Sequence, residues 1–281
     1  MVEIREETSD GPTNDQASSA NNRDSSSSRN ALNNARPPDF MTYVKANSSD
    51  VLCFVLRLAT IFFALGYILP LSSSASQSQS YVKAFVAAAA TNAFRLHQRL
   101  KSSNNAVFSR EFLMDIMFED SAHYLFYCLI FTFSTSVTMA LVPITLYAVL
   151  HSVSFAVKTA NEFGCGGHTL VLKAASLKSP QNTANILSMI ACAEIAIMPI
   201  FVAMIFVGKA NLFFPFIYYR FISMRYLSRR NPYTRDTFAG LKLTLYRASA
   251  HPRCPPFIRT VIHKAVNVAE RLCPQMYNQN P

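Results

Sequence analysis

Asp120 and His123 place a carboxylate and an imidazole three residues apart, on one face of any helix that contains them. That spacing is half of a carboxylate–histidine metal motif. The other half is missing, so the pair reads as a helix boundary. Six cysteines, Cys53, Cys128, Cys165, Cys192, Cys254 and Cys273, form no CxxC pair. Cys53, Cys128 and Cys192 sit in apolar runs, where packing is their use. No GxSxG, Walker loop or HExxH occurs, and no serine or cysteine adjoins an evident base. No catalytic, cofactor or metal site is expected.

Arg57 and Glu194 are different, because each interrupts a long apolar run. A mid-span arginine costs roughly 2.5–3.5 kcal/mol on insertion scales, and an ionisable residue there is a functional candidate by default. Arg57 lies a third of the way into its run and can snorkel to the near interface. Glu194 can be protonated, or it can pair with Arg57 across the bundle. A small transporter or channel would use these two, with His97, His123 and His151, along a polar path. Intramembrane polar groups are too few to favour that alternative.

The apolar runs themselves set the class. The chain is 51% hydrophobic and only 15% charged, which indicates an all-α polytopic membrane protein. Three segments reach the roughly 20 residues needed to cross a bilayer: 51–71, 124–150 and 186–207. The second is long enough to predict tilt, or a kink at Pro143. Residues 81–100 are Ala-rich and bracketed by Lys83, Arg95 and Arg99, and they suit a fourth span, a re-entrant helix or a protein-packed helix. A continuation over 105–120 places Phe108, Phe112, Ile116 and Met117 on one helical face. Residues 1–39, rich in Ser, Asn, Asp and Arg, read as a disordered tail. The membrane domain is expected over 40–232 and a basic tail over 233–281.

The stretch from Asn211 to Tyr233 is where the chain is expected to leave the membrane. Its helical part, 211–227, is a further membrane-embedded candidate. Tyr218, Tyr219, Arg220, Arg225, Arg229 and Arg230 suit the level where hydrocarbon meets headgroups. In the tail, a helix is predicted after Pro255-Pro256. Ile258, Val261, Ile262, Ala265 and Leu272 fall on its apolar face, opposite Arg259, His263, Lys264 and Glu270. Such a helix lies on a membrane surface or in a partner's groove. Nucleic acid is not an expected partner, because no reading module accompanies the charge.

Charge is distributed unevenly. Formal net charge is +10, and residues 208–281 carry it, with 12 Lys/Arg against Asp236 and Glu270. With three spans, residues 72–122 and 208–281 share one side and hold 17 Lys/Arg, against 8 on the other. The positive-inside bias makes the richer side cytosolic. If 81–100 also spans, the N-terminus joins the tail on that side.

Several blocks resemble a known family. They are FRLHQRL at 94–100, EDSAHYLFYCLIF at 119–131, QNTANILSMIACAEIAIMP at 181–199, PFIYYRFISMRYLSRRNPY at 215–233 and CPPFIR at 254–259. In these the chain resembles the transmembrane protein 33 family, also called Krüppel homologue 2, with its fungal pore-membrane relatives. The likeness runs from about Tyr43 to Pro274. It implies a non-enzymatic protein of the endoplasmic reticulum membrane and nuclear envelope. It also implies association with reticulon-like proteins and the tubular network, with nuclear pore components, or with a stress sensor of the unfolded protein response. The lipid bilayer is the partner that the residues themselves indicate.

Overall fold

Apolar length and a few turn-forming breaks produce a bundle of helical hairpins. The computed structural model describes residues 39–69, 73–102, 116, 119–209, 211–228 and 231–272. Every regular element among them is helical. In chain order they are α1 Phe40–Ala46, α2 Ser48–Ile68, α3 Ser74–Ser102, α4 Asp120–Phe133, α5 Leu141–Glu162, α6 Thr169–Leu177, α7 Pro180–Phe206, α8 Phe213–Leu227, α9 Tyr233–Ala250 and α10 Pro256–Leu272. The expected tail at 1–38, most of the amphipathic segment at 105–118, and Arg229 and Arg230 lie outside the described residues.

Three stretches are long and apolar enough to cross a membrane: Ser48–Ile68, Thr138–Glu162 and Pro180–Phe206. The first and third extend the expected runs by a few polar residues at their starts. The second corrects the sequence reading, because 124–150 is not one helix. It breaks after Phe133, and a short 3-10 turn at Thr138–Ala140 leads into α5. Ser134, Thr135 and Ser136 supply hydroxyls that compete for backbone hydrogen bonds and favour a turn over a helix. Pro143 then falls in the first turn of α5, where its missing N–H costs nothing, and does not kink a longer helix.

Named contacts fix the directions. Tyr67 meets Tyr81 across the link from α2 to α3, so these two helices run antiparallel. Phe85 stacks on Phe131, and Arg99 pairs with Glu119, which sets α4 antiparallel to α3. Tyr67 reaches Thr138, Phe54 packs on Phe155, and Tyr43 bonds to Thr159, so α5 lies antiparallel to α2. Phe201 stacks on Phe214 while Tyr218 bonds to the Glu194 carbonyl, so α8 folds back along α7. Gly208, at φ +69, makes that reversal in a region that L side chains avoid.

Three hairpins result: α2–α3, α4–α5 and α7–α8. All three tips lie at one end. Tyr43, Arg99, Glu119, Thr159 and Arg225 gather at the other. This differs from the split deduced from three spans, which separated residues 1–50 from the start of the tail. Both α3 and α8 turn the chain back, so the two come to the same end. The 81–100 segment is thus one arm of a full-length hairpin.

Between the hairpins lies an aromatic core. Phe85, Tyr127, Phe131, Phe201, Tyr218 and Phe221 are buried and touch one another in mostly tilted pairs, with Phe131 stacked on Phe201 and edge-on to Tyr218. Offset and T-shaped ring pairs of this kind contribute about 0.5–1.5 kcal/mol each beyond their buried area.

Candidate functional site

Arg225, near the end of α8, organises the polar interior. Its Nε donates to Glu194 Oε2 at 3.2 Å, its Nη1 to Asp120 Oδ1 at 3.0 Å, and its Nη2 to Tyr147 Oη at 3.3 Å. The Cζ atom lies 5.0 Å from the Tyr124 ring centroid. One planar guanidinium thereby joins α4, α5, α7 and α8, a task suited to its fork of fixed donors. Tyr124 donates its hydroxyl to Glu194 Oε1, and Tyr218 donates to the Glu194 backbone carbonyl at 2.7 Å. Ser228 reaches Asp120 at 3.4 Å, and Asn231 donates to Tyr147 at 3.3 Å. The side chains of Arg225 and Glu194 are 0% exposed, while Asp120 at the rim is 39% exposed.

The local sequence explains the arrangement. On α8, Tyr218, Phe221, Ile222 and Arg225 recur at three- and four-residue steps, which puts them on one inward face. On α7, Leu187, Ile190, Ala191 and Glu194 follow the same rule. Asp120 opens α4, where a carboxylate also complements the helix dipole. A buried charge is tolerable when paired and fully hydrogen-bonded, and this network meets that condition.

A second arrangement occupies the tail. Helices α9 and α10 pack together through the polar side of α10. Arg259 Nε donates to the Ser249 carbonyl at 2.9 Å, the His263 ring lies tilted against Tyr246, Glu270 pairs with Lys242, and Val266 is 5% exposed. The Glu270 carboxylate holds the Lys242 ammonium above the usual lysine range. Turned away from α9 are Phe257, at 78% exposed, Ile258, Val261 and Val268, all exposed. A soluble helical hairpin would bury that side. Here α9 contacts the polar side, where Val266 alone in the described side chains of α10 is buried, and the apolar side faces outward.

The family model for transmembrane protein 33/nucleoporin POM33 matches residues 34–275, which contain both arrangements. The chain belongs to this family. Among curated relatives, it is 38% identical over 234 residues to a transmembrane protein 33 homolog of Caenorhabditis elegans, covering 83% of this chain and 84% of the relative. To transmembrane protein 33 of Homo sapiens it is 38% identical over 232 residues, 83% of this chain and 92% of the relative. To Krueppel homolog 2 of Drosophila melanogaster it is 35% identical over 243 residues, 85% and 84% of the two chains. No solved structure matches.

Within this transmembrane protein 33 fold, several expected site residues change place. Tyr218 and Arg225, read as interface residues, are buried in the bundle. Helical phase decides this, because both lie on the face of α8 that meets α4 and α7. Tyr219 is half-buried and Arg220 exposed, on the other side of the helix. The expected pairing of Glu194 with Arg57 is overturned, since Arg225 and Tyr124 take the Glu194 carboxylate. Arg57 is itself buried in α2 and makes its own interactions. Asp120 and His123 lie 3.9 Å apart, but the Asp120 oxygen that faces His123 is bonded by Arg225. Among the described residues no group of three metal-ligating side chains converges.

Ile258, Val261 and Ala265 are exposed as expected and Ile262 is half-buried, while the side chain of Leu272 is outside the described residues. The sequence reading missed Tyr124 and Tyr147 as partners of the Arg225 guanidinium, and Ser228 and Asn231 as partners of Asp120 and Tyr147 beside it. An arginine within a mostly aromatic block, facing a mid-span glutamate elsewhere, was the available signal.

Proposed function

We propose that this is a non-catalytic organiser of membrane shape in the endoplasmic reticulum and nuclear envelope. In this reading the tail helix α10 lies on the cytosolic leaflet. The observation that carries it is the orientation of α10, whose polar side is occupied by α9 and whose apolar side is left outward. Val, Ile and Ala dominate that side, so insertion is shallow and a curved, defect-rich surface favours it. Arg259, Lys264 and Arg271 add attraction of roughly 1 kcal/mol each near an anionic leaflet, offset in part by Glu270.

The side of the membrane follows from the charges. Lys45, Arg99, Lys101, Lys158 and Lys178 lie at or near the end where the tail begins, whereas Lys83 and Lys209 lie toward the hairpin tips. The positive-inside bias supports a cytosolic assignment for the charged end, and with it for both chain termini. Reticulon-like proteins, nuclear pore components and a stress sensor remain partner proposals that rest on the family resemblance. Biotin-ligase proximity labelling from the tail in living cells tests them.

The membrane reading is tested by co-sedimenting residues 233–281 with small and large anionic vesicles, beside the Val261→Asp/Ile262→Asp double variant. Wild type is expected to bind, preferring small vesicles, and the double variant to lose binding. Equal binding by both sinks surface insertion. No binding by either, with a protein partner still captured by wild type, favours a groove instead.

A further inference from the structure

Between α5 and α7 the connection takes 17 residues, 163–179, whereas the three links at the hairpin tips take four to six. The longer connection contains α6, which packs on α5 and touches α7. Both of its ends are fastened. Before α6, Phe163 lies edge-on to Tyr43 with 5.3 Å between centroids, and Gly164, at φ +73, turns the chain. After it, Asn182 Nδ2 donates to the Ser176 carbonyl at 2.8 Å, with only Lys178 and Ser179 between α6 and α7. The helix is therefore held at the charged end of the bundle.

Yet α6 buries none of its nine residues. Val171, Ala174 and Ala175 are half-buried, on the side toward the bundle, whereas Leu170, Leu172 and Leu177 are exposed. Leu170 and Leu177, seven residues apart, share one side of the helix. Lys173 and Lys178 are exposed too, and no carboxylate occurs between Glu162 and Glu194. A nine-residue helix is too short to sustain itself in water, and its stability comes from an apolar face that packs. In α6 the large apolar side chains are the exposed ones, so a surrounding apolar medium must supply that cover. Phe40 and Met41 of α1 are exposed beside it, with the Phe40 ring 6.3 Å from Phe163.

We propose that α6 is an interfacial anchor in the leaflet at the charged end of the bundle, with Leu170 and Leu177 among acyl chains and Lys173 and Lys178 at lipid phosphates. Continuity identifies the occupant. Links of six and two residues join α6 to two helices long and apolar enough to cross the membrane, so the surface it shares with them is the lipid one. The bundle thus places a helix in the plane of one leaflet, while its tip links hold no α-helix among the described residues. The consequence of that asymmetry for curvature rests on the membrane-shaping reading; the lipid contact of α6 does not. Failure of α10 to bind vesicles leaves it standing.

The chain contains no tryptophan, so one introduced indole reports on its own surroundings. The full chain carrying Leu177→Trp is reconstituted in vesicles of phosphatidylcholine and phosphatidylserine. Its emission should be lost more to lipids brominated near the glycerol end of the acyl chains than to lipids brominated near their middle. Leu58→Trp, exposed midway along α2, should show the reverse order. Strong quenching of position 177 by iodide in the water, with no effect of either bromolipid, overturns the proposal, because α6 then stands in solvent. The mid-chain order at position 177 overturns it as well. Shielding from all three quenchers does the same, since a second copy or another protein then covers the helix. Leu170→Trp repeats the measurement on the same side where the first variant does not fold. In the Val261→Asp/Ile262→Asp background the shallow quenching should persist, and its loss would overturn an anchor independent of the tail.

Discussion

Arg225 and Glu194 meet at 3.2 Å with neither side chain exposed, and they come from helices that only the α7–α8 reversal brings together. A buried ion pair contributes little net stability when intact, yet losing one partner strands a charge. The pair therefore acts as a requirement for correct assembly more than as a source of strength.

Arg225→Leu should destabilise the bundle by about 3–5 kcal/mol, and the Arg225→Leu/Glu194→Leu double variant should recover part of that loss. Arg225→Lys keeps the charge but cannot reach Glu194, Asp120 and Tyr147 together, so it should fall between the two. Unfolding in mild detergent measures all three. By contrast, Arg57→Leu should not rescue Glu194→Gln, since the structure pairs Glu194 elsewhere. Rescue there would mean the carboxylate has a different partner in the membrane.

Tyr127 secures the break between α4 and α5 by donating its hydroxyl to the Ala140 carbonyl at 2.8 Å. Ala140 is the N-cap of α5, so its carbonyl also takes the first helical bond; Tyr127→Phe removes the second partner and should cost about 0.5–1.5 kcal/mol. A lowered unfolding temperature with unchanged helix content is the expected readout. An unchanged temperature would show that the helical bond alone satisfies the carbonyl.

Glycosylation acceptors offer a topology test. An acceptor placed before residue 39 and one placed after Pro274 should both stay unmodified. One carried on a spacer in the polar link between α2 and α3 should be modified. Modification of the tail acceptor alone would reject the hairpin arrangement as well as the assigned side.

Packing of the tail can be separated from its membrane binding. Val266→Asp, on the α9 side of α10, should speed hydrogen exchange in α10 in the absence of lipid. Val261→Asp, on the outward side, should leave that exchange unchanged. The Lys242–Glu270 link adds a pH signature. A lysine whose pKa is raised on folding contributes stability that persists through neutral pH. That stability is lost as pH climbs through the raised value, above the ordinary lysine range. Protection of α10, taken relative to the intrinsic base-catalysed exchange rate, should fall there, and Glu270→Gln should remove that extra fall.

Much of the fold was legible because hydrocarbon is a demanding solvent. The runs at 51–71 and 186–207 appear as helices with shifted starts, and the predicted helix after Pro255 forms with Ile258, Val261 and Ala265 outward and Ile262 half-buried. The break inside 124–150 was hidden because apolar content continues through it, while three adjacent hydroxyl residues and Pro143 decide the backbone. The burial of Tyr218 and Arg225 was hidden for a different reason. Tyrosine and arginine suit a headgroup layer and a polar core equally well, and composition alone does not reveal helical phase. Pairing Glu194 with Arg57 failed because it assumed that charges lie within the spans first recognised. Arg225 comes from a helix too short to be counted among them.

Synthesis order gives the Arg225 network one more consequence. The ribosome delivers Asp120 first, Glu194 next, and their shared cation last, after the chain has already been inserted as far as α8. Until residue 225 arrives, two carboxylates stand in a half-built bundle with no counter-charge from that arginine. A chain that stalls or is cut before this point carries its own mark of incompleteness, legible to the machinery that extracts unfinished membrane proteins. Completion of the last short helix is thus the event that turns an inserted polypeptide into a finished one.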